Sequence, residues 1–223
     1  MKQKTYRYFA LSAGLAALFA AYTFAVMLID VQPIGPQSST VGFAALNGFL
    51  HRFFGVNMLL YTITDWASIA ALLIAFGFGV TGLVQLVRRK SLAKVDSSIL
   101  VLGGFYLLVI LVYVFFELNV VNYRPVLIGG FLEASYPSST TMLVMCIMPT
   151  AMMQLGRRIS AKKISCAVQV LCAAFTVFMV GGRLASGVHW FTDILGGALL
   201  SAALVTLYAA VTTLVADKTG SQK

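Results

Sequence analysis

Three ionisable side chains stand in an otherwise largely apolar stretch from Gly182 to Asp193, G-R-L-A-S-G-V-H-W-F-T-D: Arg183, His189 and Asp193. His189 is one of only two histidines in the chain. If the chain is helical from His189 onward, Asp193 lies one turn further along the same face. A carboxylate placed there holds an imidazole in one tautomer and stabilises it once it becomes cationic. Arg183 precedes the pair across a short, glycine-containing loop and offers a fixed charge with planar donors suited to an oxyanion. The trio outlines a histidine nucleophile beside a phosphate clamp. The same residues also fit a loop histidine capping a membrane helix and an arginine at the lipid–water boundary. The stretch alone does not separate the two readings.

Two more segments carry chemistry-bearing residues. In Y-P-S-S-T-T, Tyr136 to Thr141, Pro137 followed by Ser138 and Ser139 reads as a helix start, with proline in the first turn and serine as cap. Free N–H groups at such a start, helped by the helix dipole, suit an anion. Taken in isolation the segment fits simple capping better. The other segment, E-L-N-V-V-N-Y-R-P, runs from Glu117 to Pro125 and contains Arg124.

The elements that must position these residues are membrane spans. The chain is 60% hydrophobic and 10% charged, against about a quarter charged in soluble domains. Six apolar stretches reach the roughly 20 residues that a bilayer requires, at about 8–29, 57–86, 98–117, 139–156, 164–181 and 192–215. The first follows Lys2, Lys4 and Arg7 as a signal peptide would. Its run is too long for a signal core and no small-residue cleavage site follows, so it counts as a span. The second exceeds the required length and contains Asp65, which fits a tilted helix or an interfacial opening piece.

All basic residues except Arg52, Arg124 and Arg183 fall in the N-terminus, the 87–97 loop, the 157–163 loop or the C-terminal tail. The positive-inside rule then puts both termini in the cytoplasm. Segments 30–56, 118–138 and 182–191 therefore face outward. The formal charge of +9 is explained by these loop clusters rather than by nucleic-acid binding. Arg124 and Arg183 sit on the side that avoids positive charge, which marks them for chemistry and places them facing one another at the outer surface. Cys146, Cys166 and Cys172 lie in apolar runs and read as small buried residues without a disulfide framework.

Together the three segments resemble the type 2 phosphatidic acid phosphatase (PAP2) superfamily, with its motifs K-x6-R-P, P-S-G-H and S-R-x5-H-x3-D. The first corresponds to Glu117, Arg124 and Pro125, the second to Pro137, Ser138, Ser139 and Thr140, and the third to Gly182, Arg183, His189 and Asp193. The order and the internal spacings of the third motif match, and the six spans match as well. The resemblance implies an all-α integral membrane bundle of six transmembrane helices, one domain over residues 1–223, in the cell membrane with its site on the extracytoplasmic face. It implies that His189 attacks phosphorus to form a phosphohistidine and that Asp193 orients it. Arg124, Arg183, Ser138 and the backbone near Ser139 would hold the phosphate oxygens. No cofactor or metal is implied, and the sequence offers no cluster of metal ligands. A carboxylate site built on Asp65, Glu117 or Glu133 is the weaker alternative.

Three residues depart from the motifs. Gly182 replaces a serine, with the loss of one hydroxyl. Glu117 replaces the lysine and, seven residues from Arg124, would pair with and aim that arginine. Thr140 replaces the histidine that protonates the leaving oxygen. Threonine donates a hydrogen bond but does not shuttle a proton near neutral pH, and a general acid is typically worth about 10²- to 10⁴-fold in rate. A phosphate leaving from a lipid diphosphate tolerates that loss better than an alkoxide leaving from a monophosphate. The expected substrate is thus a lipid diphosphate, undecaprenyl diphosphate above all, with phosphatidylglycerol phosphate and phosphatidic acid as alternatives. A catalytically silent relative that binds lipid phosphates, natural or engineered at Thr140, is the rival reading. A small transporter ranks last, because only Asp65 is a mid-span polar candidate and no inverted repeat is visible. Asp65 reads equally as a functional acid and as an interfacial residue bonded to a neighbouring helix or to Arg124. Tyr123, Tyr136 and Trp190 read as interface anchors at the outer boundary, and His51 with Arg52 as headgroup neighbours without chemistry.

Overall fold

The computed structural model describes residues 2–220. Seven α-helices are found among the described residues: α1 (Lys2–Leu28), α2 (Ala44–Phe54), α3 (Met58–Arg89), α4 (Ser97–Leu118), α5 (Ser139–Arg158), α6 (Lys162–Ala185) and α7 (Phe191–Gly220). All but α2 are long and apolar enough to cross a membrane. Helices that are hydrophobic on every side have no polar face to turn to water. Here Trp66, Phe76, Leu111, Leu171 and Val177 accordingly point away from the protein.

The centre of the bundle is made by α5 and α7, the two most buried spans. The first and last helices run antiparallel along their lengths. Thr5 Oγ1 donates to Asp217 Oδ2 at 3.4 Å, Ser12 Oγ to the Ala203 carbonyl at 2.9 Å and Tyr22 Oη to the Thr192 carbonyl at 3.3 Å. The start of α1 and the end of α7 therefore lie at the same end of the bundle. That end is closed by polar contacts: Gln154 donates to the Ser98 carbonyl at 3.0 Å and contacts Tyr208 and Arg158, and Arg89 pairs with Asp96 at 2.8 Å.

The six expected spans are all present, with shifted ends. The 32 residues of α3 extend about 48 Å at 1.5 Å per residue, well beyond a hydrocarbon core of roughly 30 Å. The interfacial piece expected at its start is instead a separate helix, α2, which exposes Leu46, Phe49 and Phe53 and buries Asn47. Helix α6 continues past the expected end at 181, so Arg183 belongs to its last turn rather than to a loop. Cys146 and Cys172 are buried, but Cys166 is exposed on α6. An apolar run reads the same whether a given face meets protein or lipid. Tyr136 is no interface anchor either: it is buried, stacks on Phe19 and hydrogen-bonds to Thr23 at 2.7 Å, so its hydroxyl finds its polar partner inside the bundle.

The segment between α4 and α5 folds back on itself as a short two-stranded ribbon, bridged at Tyr123 with Ala134 and at Ile128 with Phe131. Gly129 (φ 58°) and Gly130 (φ 87°) form its tip, where a two-residue turn of this hand requires positive φ at both positions. Arg124 N donates to the Glu133 carbonyl at 3.0 Å and Ser135 N to the Asn122 carbonyl at 2.9 Å.

Candidate active site

Because side chains alternate along a ribbon, Asn122 and Arg124 share one face, and Glu133 and Ser135 lie opposite them. All four act on the start of α7 or on each other. Arg124 Nη1 donates to His189 Nε2 at 3.3 Å, and its Nε lies 3.1 Å from Glu133 Oε2. Asn122 Nδ2 donates to Asp193 Oδ1 at 3.2 Å, while Ser135 Oγ lies 2.5 Å from Asp193 Oδ2 and 2.9 Å from His189 Nδ1.

Asp193 sits in the first turn of α7 and closes it: its Oδ2 accepts from the backbone N–H of Trp190, three residues back, at 2.9 Å. Trp190 Nε1 donates to the Tyr123 carbonyl at 2.7 Å, which fastens the ribbon to this helix start. The His51 ring lies against Trp190 at a tilt of 50°, the two centroids 5.4 Å apart. His189 itself precedes α7 instead of lying within it, so it does not meet Asp193 by helical register. The two approach only to 3.8 Å between Nδ1 and Oδ2.

Hydrogen-bond directions fix the state of His189. An arginine only donates, so Nε2 must accept from Arg124 and Nδ1 must carry the hydrogen. The imidazole is neutral, and its free lone pair is on Nε2, beside a guanidinium. Burial, with the charges of Arg124 and Arg183, holds its pKa well below the ordinary 6.5, opposed by a hydrogen bond to the Ser135 backbone.

Arg183 is buried and reaches across to two other helices. Its Nη2 donates to Thr140 Oγ1 on α5 at 2.8 Å and lies 3.4 Å from Asp65 Oδ1 on α3; Nη1 is 3.5 Å from Thr64 Oγ1. Tyr61, one turn before Asp65, offers its ring to both arginines, at 4.8 Å from Arg183 and 6.0 Å from Arg124. Thr140 accepts from Arg183, which leaves its own proton free to donate into the site. The α5 start lies beside these groups: Ser138 is the N-cap, and its N–H donates to the Asp193 carbonyl at 2.9 Å. Ser138 Oγ does not cap the helix as its position suggests. It is buried without a partner, as is Arg183 Nε.

The structure thus brings together His189, Asp193, Thr140, Arg124, Arg183 and Ser138, with Ser139 as the first residue of α5 and Asp65 on the Arg183 side. Glu117 is not the partner of Arg124. It lies in the last turn of α4, is exposed and sits near Tyr113, and the carboxylate against Arg124 is Glu133. The serine replaced by Gly182 would not fit unchanged, since a Cβ there would lie 2.7 Å from Thr64 Cγ2. Gly187 (φ 64°) is equally constrained, because a Cβ there would come within 1.9 Å of the Gly55 carbonyl oxygen. Sequence reasoning missed Asn122, Ser135 and Tyr61. The available signal was the alternation N-x-R and E-x-S on either side of Gly129 and Gly130, which marks a ribbon with one polar face.

Residues 104–215, half of the chain and all three segments discussed above, match the PAP2 superfamily. The chain belongs to the PAP2 superfamily. A comparison with curated protein sequences finds no significant match. Among solved structures, the fold resembles the crystal structure described as the first transmembrane PAP2 type phosphatidylglycerolphosphate phosphatase from Bacillus subtilis. The TM-score is 0.62 at 18% identity, covering 92% of this chain and 97% of that one. With six apolar spans, this PAP2 protein is a multi-pass membrane protein of the lipid-phosphatase class. Its Asp65, Thr64 and Tyr61 lie outside the matched region, so the α3 side of the site is described by the structure alone.

Proposed function

We propose that this PAP2 protein removes a phosphate from a lipid head through a phosphohistidine on His189, and that its preferred substrate is a lipid diphosphate such as undecaprenyl diphosphate. One observation carries the reading: the unprotonated Nε2 of His189 accepts from buried Arg124 and feels the charge of buried Arg183, beside a helix start whose Ser138 hydroxyl lacks a partner. Phosphoryl transfer needs mainly positioning and the neutralisation of spread-out negative charge.

In the first step the Nε2 lone pair forms a bond to phosphorus while the bond from phosphorus to the leaving oxygen breaks, its electron pair going to that oxygen. Arg124, Arg183, Ser138 and the N–H groups at Ser139 and beyond hold the three remaining oxygens. In the second step water attacks phosphorus, the N–P bond breaks and its electrons return to Nε2, releasing phosphate. The leaving oxygen is the point of selectivity. Thr140 offers it a hydrogen bond but no proton at neutral pH. A lipid monophosphate leaves with its charge already spread over the phosphate, whereas an alkoxide must take a proton from water. The relative described as a phosphatidylglycerolphosphate phosphatase supports a monoester as the second candidate, with phosphatidic acid beside it.

The distribution of basic residues supports cytoplasmic termini and a site at the outer leaflet of the cell membrane. The lipid head would enter sideways while its tail stays in the bilayer.

The test is phosphate release by detergent-solubilised protein from undecaprenyl diphosphate, phosphatidylglycerol phosphate and phosphatidic acid, with His189→Ala as control. Release that is fastest on the diphosphate and vanishes in the control is expected. Faster release from a monoester overturns the substrate assignment. Binding of all three lipids without any release would establish a silent binding protein instead.

A further inference from the structure

We propose that Ser135 is the positioning residue through which Asp193 acts on His189, so that the working unit is a directed chain from imidazole to hydroxyl to carboxylate. This rests on the phosphohistidine reading above. A direct pair is ruled out by distance: 3.8 Å separates His189 Nδ1 from Asp193 Oδ2, beyond hydrogen-bonding range. The Ser135 hydroxyl fills that gap at 2.9 Å from Nδ1 and 2.5 Å from Oδ2.

Direction follows from counting protons. A hydroxyl has one hydrogen and two acceptor lone pairs. Arg124 occupies the Nε2 side as a donor, so Nδ1 holds the ring hydrogen and gives it to Ser135, whose Oγ lies at 2.9 Å and whose backbone is the second acceptor. The hydroxyl hydrogen is then left for the carboxylate. Ser135 is buried, its backbone is held by an N–H bond to the Asn122 carbonyl at 2.9 Å in the ribbon, and its hydroxyl contacts both His189 and Asp193. Asp193 is held in turn by Asn122 Nδ2 and the Trp190 N–H. The chain thus has fixed ends and a fixed middle.

Its use appears when Nε2 bonds to phosphorus. The ring then carries positive charge while keeping its Nδ1 hydrogen, and the polarised hydroxyl passes the stabilisation on to the carboxylate. Ser135 acts on the far nitrogen and does not hold the phosphate. Its loss should lower kcat about 10- to 100-fold, the cost typical for the outer partner of a metal-bound imidazole carried over to a phosphorylated one, and leave KM within about threefold.

The experiment compares Ser135→Ala, Ser135→Thr, Asp193→Asn and the double variant Ser135→Ala/Asp193→Asn in phosphate release, with His189→Ala as the control for the underlying reading. The expected pattern is a kcat defect in Ser135→Ala, recovery in Ser135→Thr, and a double variant no slower than Asp193→Asn, since groups in one chain are not additive. Additive defects, or a Ser135→Ala kcat equal to wild type, overturn the proposal. A KM defect without a kcat defect also overturns it. If no variant, wild type included, releases phosphate, the phosphohistidine reading fails and the chain is read directly. In nitrogen-15-labelled protein, the His189 Nδ1 proton of wild type should resonate downfield of its position in Ser135→Ala. Equal positions, or a wild-type imidazole with its hydrogen on Nε2, overturn the chain. Should Ser135→Ala not fold, Ser135→Thr and Ser135→Cys decide: threonine keeps the chain and the weakly donating thiol weakens it, so equal kcat in the two overturns it.

Discussion

Replacing Arg183 by lysine keeps the positive charge and removes the planar fork, which makes it the sharpest single probe of the clamp. Three contacts change. The charge-assisted bond from Nη2 to Thr140 at 2.8 Å is worth about 1.5–3 kcal/mol. The stack over Tyr61 at 4.8 Å adds roughly 0.5–2 kcal/mol in a desolvated site. The ion pair to Asp65, whose side chain is 54% exposed, contributes at most about 1 kcal/mol. Together these predict a loss of roughly 2–6 kcal/mol, or about 30-fold to about 20,000-fold in kcat/KM. Thr140 would also lose the donor that fixes its hydroxyl, so most of the loss should appear in kcat. The assay is phosphate release from lipid–detergent mixed micelles across substrate concentrations, with Thr140→Ser as the variant that keeps the hydroxyl and most of the rate. If Arg183→Lys stays within about threefold of wild type, charge alone suffices and the argument from guanidinium geometry is wrong.

Restoring the family serine in Gly182→Ser should destabilise the protein by about 1–3 kcal/mol through overpacking against Thr64, and Thr64→Ala should recover most of it; thermal unfolding in detergent measures both. Thr140→His should raise monoester turnover by about 10-fold or more while changing diphosphate turnover little, because only the alkoxide needs the proton. Steady-state rates on the two substrates decide it. His189 binds its proton less readily folded than unfolded, so its neutral form should persist below pH 6.5. Its contribution should therefore lower folding stability as pH falls below that value. A nitrogen-15 titration of the two histidine signals, with His51→Gln for assignment, reads this directly, and a His189 midpoint at or above 6.5 would contradict the burial argument.

The spans were legible because lipid selects composition, and composition is printed in the sequence. Arg124, Arg183, His189 and Asp193 were legible because their types and spacing are rare in apolar surroundings. What stayed hidden depends on how two distant segments meet. Glu117 sits at a suggestive distance in sequence from Arg124, yet α4 ends beside it and the ribbon returns Glu133 instead. His189 and Asp193 fit a helical spacing, but α7 begins only at Phe191, so the pair needs a third residue between them. Gly182 reads as a lost hydroxyl until Thr64 on α3 is found occupying the space. Tyr61 gave no signal at all, since an aromatic near the end of an apolar span is ordinary.

The antiparallel closure of α1 on α7 has a consequence in time. A ribosome adding 5–20 residues per second needs roughly ten to thirty seconds to go from the end of α1 to the start of α7. During that interval the face of α1 bearing Ser12 and Tyr22, which later bonds to Ala203 and Thr192, waits in the bilayer without its partner. Asp193 arrives on the same late segment, so Asn122 and Ser135 also wait for their carboxylate. A nascent chain is thus inert until its final span is inserted, and any quality-control factor that guards this protein has an unfinished surface to recognise, the side of its first helix that later meets α7.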